Sequence, residues 1–246
     1  DQLSLIDKGQ EKRYQRGTYF GKKNSYYTLS GSLEIPQNDA EATYDLTAYS
    51  SLTEQDNSTN PQMKVYLNDQ LVQGLDINHK SLRLKREQIK QEKMQLRLEI
   101  FSGREEKQFP ITVLLREIDA FTEKVYYDFY VLLDSWRSLD KNDPNYLFYE
   151  KELGKAANDL NFFEPYSQNY YEGLKKAEEH LAEKFYDQVL KNNPIAYAVG
   201  HTHIDLAWLW TMMQAVEKGE RSFATVLNFM DEFEEYTFIQ SQPQMY

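Results

Sequence analysis

Ile195-Ala196-Tyr197-Ala198-Val199-Gly200-His201-Thr202-His203-Ile204-Asp205 is the stretch whose reading decides the fold. Its first six residues are almost wholly apolar, the pattern of a strand buried on both faces, as in a parallel sheet. Asn192-Asn193-Pro194 stands just before it and terminates any preceding helix. In an extended strand, positions 201, 203 and 205 share one face. They also stand at the carboxyl end, where α/β barrels and open α/β sheets place their sites. Neutral imidazole and carboxylate are both good zinc ligands, so His203 and Asp205 on one face can hold two corners of a metal site. His201 is a further candidate ligand. The bland readings are a packed histidine and an Asp205 that caps the next helix.

Working outward, residues 206–233 carry a helical pattern, with Phe223, Val226, Leu227, Met230 and Phe233 on one side. Gly219 weakens its middle by roughly 1 kcal/mol relative to Ala, so one helix or two are open. Asp231, Glu232, Glu234 and Glu235 read as a solvated helix end. Residues 236–240 are a second strand candidate. Strand, helix, strand is a βαβ unit, whose crossover is expected to be right-handed. A lone unit leaves its sheet edges uncovered, so the chain is expected to stop inside a larger α/β domain.

Upstream, 121–139, 145–160 and 170–190 read as helices. The first carries Val125, Phe129, Leu132, Leu133 and Trp136 at helical spacing, and the last carries Leu174, Ala177, Leu181, Phe185 and Leu190. Residues 1–120 read as mostly β. Short alternating segments stand at 26–35, 44–49, 82–84, 94–100 and 111–115, with a polar loop at 54–61. Residues 64–67 and 70–72 flank Asn68-Asp69, a hairpin signal. Repeated short strands with turn signals between them predict an antiparallel sandwich.

The formal net charge of −11 and the interruption of Arg83, Lys85 and Arg86 by Glu87 and Glu92 speak against nucleic acid, which needs a basic stripe. That basic run reads as a solvated strand end. With no cysteine, disulfides and thiolate metal sites are excluded, and any metal must sit on His, Asp or Glu. No stretch approaches the ~20 apolar residues of a membrane span, and residues 1–20 are too polar for a signal peptide. A cytoplasmic protein is expected. The chain has 19 Tyr and 13 Phe; carbohydrate-active proteins use such rings as sugar platforms.

The run His201-Thr202-His203-Ile204-Asp205-Leu206-Ala207-Trp208-Leu209-Trp210 resembles the motif at the end of the first barrel strand in glycoside hydrolase family 38 α-mannosidases. The similarity continues through Arg221-Ser222-Phe223, Val226-Leu227 and Met230. It resumes at Tyr236-Thr237-Phe238 and Ser241-Gln242-Pro243-Gln244-Met245-Tyr246. Val65-Tyr66-Leu67-Asn68 and Gln73-Gly74-Leu75-Asp76-Ile77-Asn78-His79 resemble the N-terminal β-domain of the cytosolic and bacterial branch.

The resemblance implies an α+β multidomain fragment: an N-terminal antiparallel β-sandwich over 1–120, a helical connecting segment over 121–193, and over 194–246 the first βαβ unit of a truncated α/β-barrel catalytic domain. It implies a zinc-dependent retaining α-mannosidase acting on terminal α-mannosides, with His203 and Asp205 as zinc ligands. His201 is a further ligand or an orienting residue, and Trp208 packs on the sugar ring. The nucleophile, the acid/base and a further histidine are expected downstream, so this fragment is expected to be inactive. A homo-oligomer of the full-length protein is left open.

Two other classes stay in view. Metal-dependent amidohydrolases also place a His-x-His at the end of a first barrel strand and would use His201 and His203 together. Residues 206–210 and the Ser241-Gln242-Pro243-Gln244 stretch argue against them. The Tyr-rich β-domain is alternatively a non-catalytic carbohydrate-binding module, although no aromatic cluster stands out in it. Trp210 is expected to pack in the core, His79 and His180 at the surface, and Arg221 to be structural. Gln242 and Gln244 are expected at the site rim or in ordinary turns.

Overall fold

The computed structural model describes residues 3–37, 42–50, 61–187, 197–206 and 208–245. The fold is α+β, with mixed helices and largely antiparallel sheets. Two compact units divide it, Asp1–Glu117 with Tyr197–Tyr246, and Ile118–Ala196.

In the first unit, β1 (Leu3–Asp7), β2 (Gln10–Tyr14), β3 (Tyr26–Glu34), β5 (Gln62–Leu67), β6 (Gln70–Leu75) and β8 (Lys93–Phe101) form one sheet in the order β2-β1-β3-β8-β5-β6. A second sheet runs β7 (Ser81–Arg83), β4 (Thr43–Ser50), β9 (Ile111–Ile118). Both sheets feed one core: Leu29, Val65, Leu98 and Ile100 come from the first, and Leu46, Ala48, Leu82 and Ile111 from the second. Strict alternation along β8 buries Met94, Leu96, Leu98 and Ile100 on one face. Asn68 and Asp69 both adopt positive φ, +48° and +64°. That is the primed turn the Asn-Asp pair between β5 and β6 predicts.

Several expectations for this region change. The hairpin β1–β2 was not legible, because β2 is mostly exposed and lacks an apolar stripe. The basic run is not a simple strand end. β7 stops at Arg83, whose Nε donates to Asp45 at 2.6 Å, and Arg86 opens a one-turn helix, α1 (Arg86–Ile89). An aromatic cluster does exist: Phe20 packs against Tyr14, Tyr27 and Phe109. All four rings are buried, so they fill the core and offer no platform. Most of the expected loop at 54–61 lies outside the described residues.

The second unit is helical: α2 (Ala120–Ser138), α3 (Tyr146–Asp159) and α4 (Gln168–Leu181), the last running into a π-helical turn over Ala182–Tyr186. Residues 188–190 of the expected third helix lie outside the described residues. Asp119 caps α2 by accepting from the Thr122 amide at 2.7 Å, and Ser167 caps α4 through Tyr170. Leu132, Leu153, Ala156, Ala177 and Leu181 form the core. His180 is not a surface residue of polar surroundings: its Nε2 lies 2.9 Å from Glu152 Oε2, and the Glu152 side chain is buried. Sequence patterning hides this because the buried partner is itself charged.

The 197–246 stretch contains β10 (Gly200–Thr202), α5 (Met212–Glu232) and β11 (Phe238–Gln240). β10 and β11 pair in parallel, so a βαβ unit is present. Its strands are shorter than the sequence suggests. Ile195 and Ala196 lie outside the described residues, while Tyr197 is 88% exposed and Val199 is also exposed. Among the described residues β10 has one strand neighbour, and Tyr197, Ala198 and Val199 before it are exposed. The helix starts at Met212 and not at 206, because Thr211 and Gln214 form a capping box that satisfies the first-turn amides. α5 passes through Gly219 as one helix, with the Met245 side chain lying over that position.

Candidate functional site

β10 ends at Thr202, and the next residues turn out of the sheet at its carboxyl end. There the His203 imidazole is held from two sides. Its Nε2 lies 3.1 Å from Asp205 Oδ1, and its Nδ1 lies 2.9 Å from Ser241 Oγ. Ser241 follows β11 directly, so the carboxyl ends of both parallel strands build this point. A carboxylate only accepts, so in this arrangement Nε2–H donates to Asp205 and Nδ1 accepts from the Ser241 hydroxyl. Both site side chains remain open to solvent, His203 at 58% and Asp205 at 38% exposure.

An imidazole nitrogen and a carboxylate oxygen about 3 Å apart suit two corners of a tetrahedral cation site. The Ser241 hydroxyl on the other ring nitrogen can accept that N–H when Nε2 holds a cation, the orienting role that carboxylates, carbonyls or waters usually fill. The donor set therefore fits zinc, as two corners only. Among the described residues no group of three or more His, Asp or Glu converges on a metal position. His201 pairs with Ile239 inside the strand ladder and is exposed. It shares with His203 the lining of a cavity of about 410 Å³ that also takes in Asp76 and His79. His79 is exposed, as expected; it also borders this cavity and lies 6.2 Å from the Phe229 ring.

Trp208 is 66% exposed. Its ring meets Trp210 edge-on, with centroids 5.3 Å apart and planes at 88°. Trp210 is half-buried and not fully in the core. Its Nε1 donates to the Asp205 carbonyl at 2.9 Å, and the Lys218 ammonium sits 4.7 Å over its ring. Trp210 thus fastens the backbone of Asp205 and backs the Trp208 ring. Asp205 does not cap α5, whose N-cap is Thr211, and Gln244 lies in the turn Pro243–Met245. Gln242 makes turn chemistry, its amide donating to Gln240 Oε1 at 3.3 Å.

The site loop and α5 rest on the two-sheet body. Thr225 Oγ1 accepts from the Gly74 amide at 3.0 Å, and Asn228 Nδ2 donates to Gln73 Oε1 at 2.8 Å in a buried contact. Arg221 donates to Gln62 Oε1, and burial lowers its pKa. The structural role expected for Arg221 is thus seen in its hydrogen bond to the Gln62 side-chain amide. Burial pulls the Lys64 ammonium down, but hydrogen bonds to Glu220 on α5 and to Glu99 outweigh it and hold the group above its ordinary value. Tyr26 is pushed up to about 12, by burial and then by its hydrogen bond to Glu217. Asp231 is exposed, as expected of the solvated charge run, and pairs there with Lys85.

Sequence reasoning missed Ser241, Gly74, Thr225 and Asn228. Ser241 and Gly74 both lie in stretches that carry the family resemblance. Thr225 and Asn228 carry no local signal, because their partners are more than 100 residues away.

The family model described as "Glycosyl hydrolases family 38 N-terminal domain" matches residues 194–246. The alpha-mannosidase of Saccharomyces cerevisiae is 30% identical over 139 residues, covering 52% of this chain and 12% of that protein. Alpha-mannosidase G of Dictyostelium discoideum is 32% identical over 120 residues, 48% of this chain and 11% of the relative. Alpha-mannosidase 2C1 of Homo sapiens is 40% identical over 65 residues, 26% of this chain and 6% of the relative. The chain thus spans about a tenth or less of the length of these relatives. Residues 194–246 thus resemble the N-terminal domain of glycosyl hydrolase family 38.

Proposed function

We propose that this chain is the N-terminal portion of a zinc-dependent retaining α-mannosidase of the cytosolic and bacterial branch, acting in the cytoplasm on terminal α-mannosides of glycans or oligosaccharides. In this reading 1–120 is an N-terminal β-sandwich, 121–193 a helical connection and 194–246 the start of an α/β-barrel catalytic domain. The full-length protein is a candidate homo-oligomer. The observation that carries the reading is the 3.1 Å approach of His203 Nε2 to Asp205 Oδ1 at the carboxyl end of paired parallel strands, inside the segment the family model matches.

His203 and Asp205 would hold the zinc ion, with His201 as a further ligand or orienting residue. Bound there, the ion would supply a Lewis-acid grip on vicinal cis hydroxyls, which would favour mannose and the distorted ring that leads to an oxocarbenium-like transition state. The chain's own residues do the positioning. Ser241 fixes the His203 ring plane. Trp210 holds the Asp205 backbone. Trp208 presents its open indole to the apolar face of a sugar and displaces water from it. Retaining hydrolysis needs two carboxyl groups roughly 5 Å apart flanking the glycosidic bond. We assign both, and the remaining metal ligand, to residues outside those described here.

The test is metal content and turnover of the full-length protein. His203→Ala and Asp205→Ala should each lose bound zinc and aryl α-mannoside hydrolysis, while His79→Ala retains most of both. Unchanged zinc in the first two would sink the assignment. The 246-residue chain alone should not hydrolyse an aryl α-mannoside.

A further inference from the structure

The two-sheet body reaches the loop that carries Trp208 through one long side chain. Arg104 lies on the connection between β8 and β9, and its Nη1 donates to the Leu209 carbonyl at 3.0 Å. The loop stands over a cavity of about 540 Å³ lined by Asn24, Tyr26, Phe101, Trp208 and Thr211, and Arg104 spans it.

The base of this strut is rigid. Ser102 N donates to the Ser25 carbonyl at 2.9 Å, and the Ser25 amide donates to Ser102 Oγ at 3.0 Å. Gly103 has φ +96°, which a side chain would strain, and its carbonyl accepts from the Asn24 amide at 2.8 Å. That left-handed bend turns the chain out of β8, so Arg104 leaves the sheet from a fixed point. At the far end, Leu209 lies between Trp208 and Trp210, the residue that holds the Asp205 carbonyl. A planar guanidinium with several donors suits a carbonyl that must be held in one direction.

We propose that Arg104 is a positioning residue for the site loop: by holding the Leu209 carbonyl it sets the orientation of Trp208, so the β-body acts in sugar recognition without touching sugar. This rests on the reading of Trp208 as the sugar platform. It differs from the carbohydrate-module alternative, in which the β-body itself would bind glycan.

The experiment compares wild type, Arg104→Ala, Arg104→Lys and the exposed control Arg13→Ala in the full-length protein. Amide hydrogen exchange at residues 208–211, bound zinc, KM and kcat on an aryl α-mannoside are read for each. Arg104→Ala should speed exchange at 208–211 by about tenfold or more, the loss of one charge-assisted hydrogen bond. It should raise KM by a similar factor while zinc content and kcat stay near wild type. Arg104→Lys, which keeps a donor, should restore part of both. Exchange and KM in Arg104→Ala equal to those in Arg13→Ala overturn the proposal. Should Arg104→Ala not fold, Arg104→Lys and Arg104→Gln carry the same comparison, and wild-type behaviour in both overturns it. A wild type that neither binds zinc nor cleaves α-mannosides defeats the functional reading, and the exchange arm then still decides on Arg104.

Discussion

Gly74 on β6 and Arg221 on α5 approach so closely that a Cβ on the glycine would lie 2.8 Å from the Arg221 Cβ and 3.0 Å from its carbonyl oxygen. The helix backbone therefore rests on the edge strand with no room for a side chain. Thr225, one turn further on, accepts from the Gly74 amide and donates to the Arg221 carbonyl at 2.8 Å.

Gly74→Ala should push α5 off β6. Overpacking of this kind costs typically about 1–3 kcal/mol, so thermal unfolding of the chain should move down by several degrees. A melting temperature equal to wild type would show that the contact yields without cost.

The buried relay Asn228–Gln73 continues to the Ser81 carbonyl, which accepts from Gln73 Nε2 at 2.8 Å. Gln73→Ala strands the Asn228 amide and the Ser81 carbonyl together. An unsatisfied buried polar group costs about 1–3 kcal/mol. Pairing the change with Asn228→Ala should recover part of that loss, and strict additivity in the double-mutant cycle would mean that the two amides do not couple.

Ser241→Ala removes the partner of His203 Nδ1 while leaving both proposed ligands. Loss of such an orienting partner typically weakens metal affinity about 10–100-fold. Chelator competition on the full-length protein reads this directly. Zinc affinity unchanged by the substitution would count against His203 as a ligand held through Ser241.

Trp208→Ala should raise KM for an aryl α-mannoside by roughly three- to tenfold, the range expected for one aromatic contact. Zinc content should stay at the wild-type level, which separates a sugar contact from a structural one. Lost zinc would make Trp208 part of the scaffold.

The helical unit should weaken in acid. Hydrogen bonding from Lys155 and the nearby His180 and Lys151 hold the Glu152 carboxyl below its ordinary 4.5 against the opposing effect of burial. At Asp119 burial pushes the pKa up, but hydrogen bonds from Thr122 and Tyr171 outweigh it and leave the group below its ordinary 3.8. A depressed folded value stabilises above the unfolded pKa, and that stability is lost as pH falls through the folded value. Stability should therefore fall below about pH 4.5. Glu152→Gln should flatten this acid limb. Identical acid profiles for the two proteins would show that Glu152 contributes nothing there.

Local patterns were legible wherever a residue's environment follows from its near neighbours. The Asn68-Asp69 turn, the alternation of β8 and the apolar stripes of α2 and α4 needed only chain geometry, with period two or 3.6 deciding the element. Element ends were less legible. Residues 206–211 have apolar content suited to a helix, but the Trp210 indole bonds back to the Asp205 carbonyl and Thr211 begins the helix. The β1–β2 hairpin stayed hidden because one of its strands faces solvent.

By itself the sequence determined the α+β composition and the strand, helix, strand order after Gly200, and it singled out His203 and Asp205 as candidates, since motif spacing and side-chain chemistry are properties of the chain. Only the tertiary structure decided that Ser241 braces His203, that His201 stands in the ladder outside any described three-residue cluster, and that Gly74, Asn228 and Arg104 support the site. Those contacts join residues 38 to 155 positions apart. No local periodicity encodes a distance of that kind; it appears only when sheet register and helix docking bring the partners together.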